Sequence, residues 1–115
     1  MLIIALTLGL FACAASGGDC RNPTTQRDMN MCASQEYEAA DQRLNQAYRQ
    51  TMATLDDTSR ERLRNAQRAW IGFRDRQCNA ETAQNRGGSM FPMLYSGCMT
   101  RLTNARTREL QSFRR

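Results

Sequence analysis

The residues of this 115-residue chain best suited to chemistry are its five cysteines, at positions 13, 20, 32, 78 and 98. A redox role would need a C-x-x-C pair or a thiol of low pKa, and no such spacing occurs. A cysteine or serine nucleophile would need a base, and the chain contains no His, so a hydrolase triad cannot be assembled. Carboxylates adjacent in sequence, Asp56 with Asp57 and Glu36 with Glu38, could do acid–base work, but neither pair falls in a predicted cleft. Met29, Met31, Met90, Met93 and Met99 could offer soft thioether ligands, yet at this loose spacing and without His they read as fillers of irregular core gaps. The expectation is a protein with no catalytic residues, no metal and no cofactor.

The chemistry left to the cysteines is disulfide formation, and the start of the chain supports it. Met1 to Ala15 holds no charged residue, is rich in Leu, Ile, Ala and Phe, and gives way to Ser16-Gly17-Gly18-Asp19. It is too short for the roughly 20 apolar residues of a bilayer span and reads as a signal peptide. Ala12-Cys13-Ala14 fits a small-x-small cleavage site, whereas Leu10-Phe11-Ala12-Cys13 fits a lipoprotein box in which Cys13 is the candidate for lipidation. Either way Cys13 belongs to export chemistry, and Cys20, Cys32, Cys78 and Cys98 remain as an even set in an oxidising compartment. The expected location is periplasmic or secreted, with a lipid anchor through Cys13 as the variant.

Few β-branched residues and only two Pro point to helices. The domain expected over residues 19–112 is all-α. After the loop at Cys20 to Pro23, Thr24 or Thr25 is a cap candidate. Cys32, Tyr37, Ala40, Leu44, Tyr48, Met52 and Leu55 then form one apolar stripe of a first helix. Thr58 with Glu61 reads as a capping box opening a second helix to about Asn79, with Leu63, Ala66, Trp70 and Phe73 inward and Ile71 at the edge. Glu81 to Gly97 is irregular. A third helix begins near Cys98 and turns Leu102, Ala105, Leu110 and Phe113 inward.

The short turns make this a small antiparallel three-helix bundle. The start of the first helix, the end of the second and the start of the third then share one end, where all four cysteines fall. The topology allows each of the three possible pairings. Cys20 with Cys32 and Cys78 with Cys98 is preferred because it has the lowest closure entropy, and each bond would contribute about 2 to 4 kcal/mol.

Two segments carry a resemblance. Ala40-Asp41-x-x-Leu44-Asn45-x-x-Tyr48, followed by Leu63-Arg64-x-Ala66-Gln67-Arg68-Ala69-Trp70-Ile71-x-Phe73-Arg74-Asp75-x-x-Cys78, resembles the LprI-like family, domain of unknown function 1311. Gly87-Gly88-Ser89, Cys98 and Thr103-x-x-Arg106-Thr107-x-Glu109-Leu110 match its C-terminal part. The resemblance implies an exported helical domain, often disulfide-bonded, in a family named after a mycobacterial lipoprotein that inhibits lysozyme; it carries no inhibitory motif residue by residue. In an antiparallel packing, Asp41 and Arg74 come to similar heights. An inter-helix ion pair is expected there, with Asn45 and Gln67 as neighbouring hydrogen-bond partners, acting to fix register.

Charge is unevenly spread. Asp19 to Asp57 carries seven acids against four Arg, while from Thr58 onward twelve Arg face four acids; all sixteen basic residues are Arg. Animal-type lysozymes are strongly cationic, so a net +5 chain would be repelled at long range, within the limit set by a Debye length of about 8 Å. Glu36 and Glu38 are the candidates for an acidic docking face. Arg60, Arg64 and Arg68 form a basic stripe suited to lipid head-groups or acidic wall polymer. Nucleic acid is a poor partner for an exported chain. The function expected is an exported cell-envelope binding protein with lysozyme as the partner the resemblance implies; the alternative is an envelope scaffold or anionic-surface binder without inhibitory action.

Overall fold

The computed structural model describes residues 20–113. The expected leader, Cys13 and its two cleavage readings lie outside the described residues. Among those described, the chain forms α1 (Gln26–Met52), α2 (Asp57–Glu81), a 3₁₀ turn (Ala83–Asn85) and α3 (Phe91–Gln111).

Each boundary has a local cause. Thr25, in an extended conformation, accepts the Asp28 N–H through its hydroxyl at 3.0 Å and caps α1, a contact worth about 1 kcal/mol. Asp56 caps α2 by accepting the Ser59 N–H at 2.8 Å. The capping box expected at Thr58 is therefore displaced by two residues: a carboxylate just ahead of the helix reaches its free N–H groups, and Thr58 falls in the first turn. At the far end, the Thr82 hydroxyl donates to the Cys78 carbonyl at 2.7 Å.

The third helix starts seven residues earlier than the sequence suggests. Phe91-Pro92 opens it, with Pro92 in the first turn, where its missing N–H costs no helical bond. Gly97, which reads as a break, lies inside the helix.

Contacts at both ends fix the topology. Gln26 Nε2 lies 3.8 Å from Met93 Sδ, and the Thr51 hydroxyl donates to the Leu110 carbonyl at 3.1 Å, so α1 and α3 run parallel. The α2 helix returns antiparallel to both after a turn in which Arg60 Nε donates to the Met52 carbonyl at 3.0 Å. The α1 and α3 backbones lie close together along much of their length, because the residues they bury are largely small: Ala40 and Ala47 from α1, Thr100, Thr103 and Thr107 from α3. The α2 helix stands farther off.

The core forms two apolar clusters. One holds Leu44, Ala47, Leu55, Leu63 and Leu110, with Tyr48, Met52 and Trp70 against it; Leu44 and Leu110 are each 2 % exposed, burial worth about 1.5–3 kcal/mol per side chain. The other holds Cys78, Cys98 and Met99, with Tyr37, Tyr95 and Leu102. Both disulfides close at one end of the bundle, Cys20 to Cys32 and Cys78 to Cys98, with Cα separations of 5.5 and 5.7 Å.

The inward face of α2 differs from the expected one. Phe73 is 53 % exposed, Ile71 39 %, and Ala66 is also exposed. The buried positions are Leu63, Gln67, Arg74 and Cys78, with Trp70 half-buried among them. A stripe chosen by hydrophobicity lies one flank away from the true one, because Gln67 and Arg74 are buried against partners on other helices. Phe113, expected to turn inward from the third helix, lies past the end of α3 and is exposed, and the buried row of α3 is Cys98, Met99, Thr100, Thr103, Thr107 and Leu110.

Candidate functional site

A polar layer crosses the bundle at the level of Trp70 and Arg74. The Arg74 guanidinium lies over two rings, 5.4 Å from the Trp70 centroid and 5.7 Å from that of Tyr37, which links α2 to α1. Its Nε donates to Asp75 at 3.1 Å, and its Nη1 lies 3.9 Å from Asp41 Oδ1. The side chain is 9 % exposed while Asp41 and Asp75 are close to half exposed, so a buried cation is neutralised by carboxylates that keep contact with water. Nη1 makes no hydrogen bond within the chain. Asn45 Nδ2 reaches Asp41 Oδ2 at 3.4 Å.

Gln67 takes a different partner from the one expected. Its side-chain oxygen accepts from Arg106 Nε of α3 at 3.0 Å. Arg106 also donates to Glu109 at 2.9 Å and lies 5.9 Å from the Trp70 centroid. Trp70 therefore meets two guanidiniums, one from its own helix and one from α3. Arg106 was legible in the sequence as part of the Thr103-x-x-Arg106 motif, but nothing in that spacing gives its partner.

Burial pushes the Tyr37 phenol above its ordinary pKa, and the Arg74 charge opposes the shift. The layer pairs its charges internally and joins three helices; it presents no nucleophile beside a base. Among the described residues no group of His, Cys, Asp and Glu side chains could hold a metal ion.

The surface candidates separate into distinct places. Glu36 and Glu38 are both exposed, but two helical steps put them about 200° apart around α1, so they do not form one acidic face. Arg60 is committed to the turn, donating to Met52 and pairing with Asp57 at 3.2 Å. Arg64 and Arg68 are exposed, and Arg64 borders a shallow depression with Tyr48, Arg49, Met52 and Arg60. At the same end, a cleft of about 780 Å³ is lined by Leu55, Leu63, Ala66 and Phe113. At the disulfide end, the connection between α2 and α3 is a run of exposed residues from Ala83 to Met90.

Among the described residues no helix is long and apolar enough to cross a membrane. No solved structure matches this chain. Among curated proteins, it is 46 % identical over 106 residues to the uncharacterized protein R02472 of Rhizobium meliloti (strain 1021), covering 81 % of this chain and 76 % of that one. It is 28 % identical over 145 residues to the uncharacterized protein YecT of Escherichia coli (strain K12), covering 96 % and 90 %. The model of the family described as lysozyme inhibitor LprI matches residues 20–110, from the first bonded cysteine to the last buried leucine, and the chain belongs to that family.

Proposed function

We propose that this is an exported envelope protein that binds and inhibits a lysozyme, and that it acts by contact rather than by catalysis. The observation that carries this reading is the extent of the family match, residues 20–110, which takes in the whole disulfide-bonded bundle. Two disulfides in so small a domain suit an oxidising compartment, where lysozymes also act. A bundle whose buried Arg74 is paired and whose disulfides tie the start of α1 and the α2–α3 connection is stiffened at one end, and rigidity lowers the entropic cost of binding a protein.

The test is direct. Purified disulfide-bonded protein is added to c-type, g-type and i-type lysozymes in a cell-wall turbidity assay, and slowed lysis by at least one of them at micromolar excess is the expected result. A second reading, an anionic-surface binder without inhibitory action, is favoured by the depression that gathers Arg49, Arg60 and Arg64. Normal lysis by all three enzymes, with retention of the protein on anionic vesicles or cell wall, would replace the first reading with the second.

A further inference from the structure

The segment from Gln84 to Met90 is exposed at every residue, yet it is held in one shape. The Cys78–Cys98 bond closes its base. The Asn85, Arg86 and Gly88 N–H groups donate to the Thr82, Ala83 and Asn85 carbonyls at 2.9, 3.4 and 3.0 Å, and the Phe91 N–H donates to Gly88 at 3.3 Å. From α1, Asn30 Nδ2 donates to the Ser89 carbonyl at 3.0 Å. Arg86 folds over the Phe91 ring, 6.0 Å from its centroid, and donates to Asn79 Oδ1 at 2.6 Å. Gly87 turns at φ +79, and a Cβ placed there would meet no atom within 4 Å. The glycine is required by the backbone, since L side chains resist that conformation by roughly 1–2 kcal/mol, and not by packing against the rest of the chain.

The charge on this segment is simple. Between Glu81 and Arg101 the one charged residue is Arg86. Its neighbours at the tip are Gly87, Gly88 and Ser89, followed by Met90, 46 % exposed. The result is an exposed, pre-shaped loop carrying a single cation, and a segment already ordered loses little conformational entropy on entering a partner.

We propose that the Gln84–Met90 loop enters the substrate cleft of the lysozyme, with Arg86 facing the paired carboxyl groups that glycan hydrolysis requires. The inference rests on the inhibitor reading above and names the surface and the partner chemistry for it. Such a cleft holds one carboxyl group protonated and another ionised, so it favours one guanidinium, whose N–H groups match a carboxylate. It also resolves a conflict of sign. The chain is net +5 and meets a cationic enzyme, but beyond about 8 Å that repulsion is screened, and at contact the cleft is where a positive side chain is attracted.

The experiment compares the full disulfide-bonded protein with Arg86→Glu, Arg86→Lys and Asn79→Ala, each first shown by circular dichroism to be helical and cooperatively folded. Inhibition of a c-type lysozyme is measured by turbidity, and binding by interferometry with and without saturating tri-N-acetylchitotriose in the enzyme cleft. Arg86→Glu should weaken inhibition at least tenfold, and Arg86→Lys, which keeps the charge but loses the paired N–H groups, should weaken it by less than Arg86→Glu does. Asn79→Ala, which removes the internal hydrogen bond of Arg86 but not its charge, should cost less than threefold. The trisaccharide should displace the protein. Equal losses in Arg86→Glu and Asn79→Ala would reduce Arg86 to a brace of the loop and overturn the proposal. Inhibition that survives Arg86→Glu, or binding untouched by the trisaccharide, would also overturn it while leaving the inhibitor reading intact; a wild-type protein that neither binds nor inhibits would overturn both.

Discussion

Arg106 on α3 donates from Nε to the buried side-chain oxygen of Gln67 on α2 at 3.0 Å, joining two helices that otherwise touch through few close backbone contacts. Gln67 is 7 % exposed, so its oxygen has little access to water as an alternative. Arg106→Ala should lower stability by about 1–3 kcal/mol, the cost of leaving a buried polar group without its partner, in addition to the lost stacking on Trp70. Arg106→Ala combined with Gln67→Leu should recover part of that loss, because an apolar side chain has nothing to satisfy. Urea unfolding followed by circular dichroism reads both.

The Arg74 site calls for a different balance. At 3.9 Å and with Asp41 42 % exposed, the ion pair itself should be weak, about 0–1 kcal/mol. Asp41→Asn is therefore expected to change the unfolding midpoint little. Arg74→Ala should cost more, since it removes the group stacked between Tyr37 and Trp70, and Arg74→Met should restore much of the lost packing. Equal losses from Asp41→Asn and Arg74→Ala would show instead that the charge pair dominates.

The two disulfides should part under reduction. Cys78 is fully buried and Cys98 5 % exposed, whereas Cys20 is exposed. Graded dithiothreitol followed by alkylation and mass spectrometry should label Cys20 and Cys32 first, with Cys78 and Cys98 labelled only as the bundle opens. Replacing Cys78 and Cys98 together by Ala should cost about 2–4 kcal/mol.

Acid should weaken the fold through two carboxylates. Asp56 is held below its ordinary 3.8 by the Ser59 backbone N–H, and Glu81 below 4.5 by hydrogen bonds from Gln77 and then Arg101. Each binds its proton less readily folded than unfolded, so its contribution is complete above those values and is lost as pH falls through the folded pKa. Tyr37 has the opposite sign: raised above 10.0 by burial, it contributes fully below pH 10 and its contribution is lost as pH rises through the folded value. Stability measured from pH 2 to 11 should fall at both ends, and Asp56→Asn and Tyr37→Phe should each flatten their own limb.

Thr103 is fully buried and its hydroxyl makes no hydrogen bond within the chain. Thr103→Val keeps the shape and removes the unmatched polar atom, so the thermal midpoint should hold or rise. A fall of several degrees would show that the hydroxyl has a partner.

Much of this protein is written locally. Composition and stripe periodicity are enough for an all-α bundle, since each helix carries its apolar repeat in its own sequence, and four cysteines near one end follow from the order of helices and turns. Short-range competition hid the helix starts: Asp56 outcompetes Thr58 as a cap because its carboxylate reaches the first N–H groups, and Pro92 marks a helix that Gly97 seemed to deny.

Which flank of α2 faces inward was a different kind of question. Hydrophobic ranking favours Phe73, but burying Gln67 and Arg74 depends on Arg106, Tyr37 and Asp41, which come from other helices and are brought near only by folding. A polar side chain is admitted to the interior by its partners, and partners distant in sequence are set by the tertiary structure. The loop at Arg86 follows the same rule: the sequence shows glycines and one charge, while its rigidity comes from Asn30, Asn79 and the disulfide that the fold assembles around it.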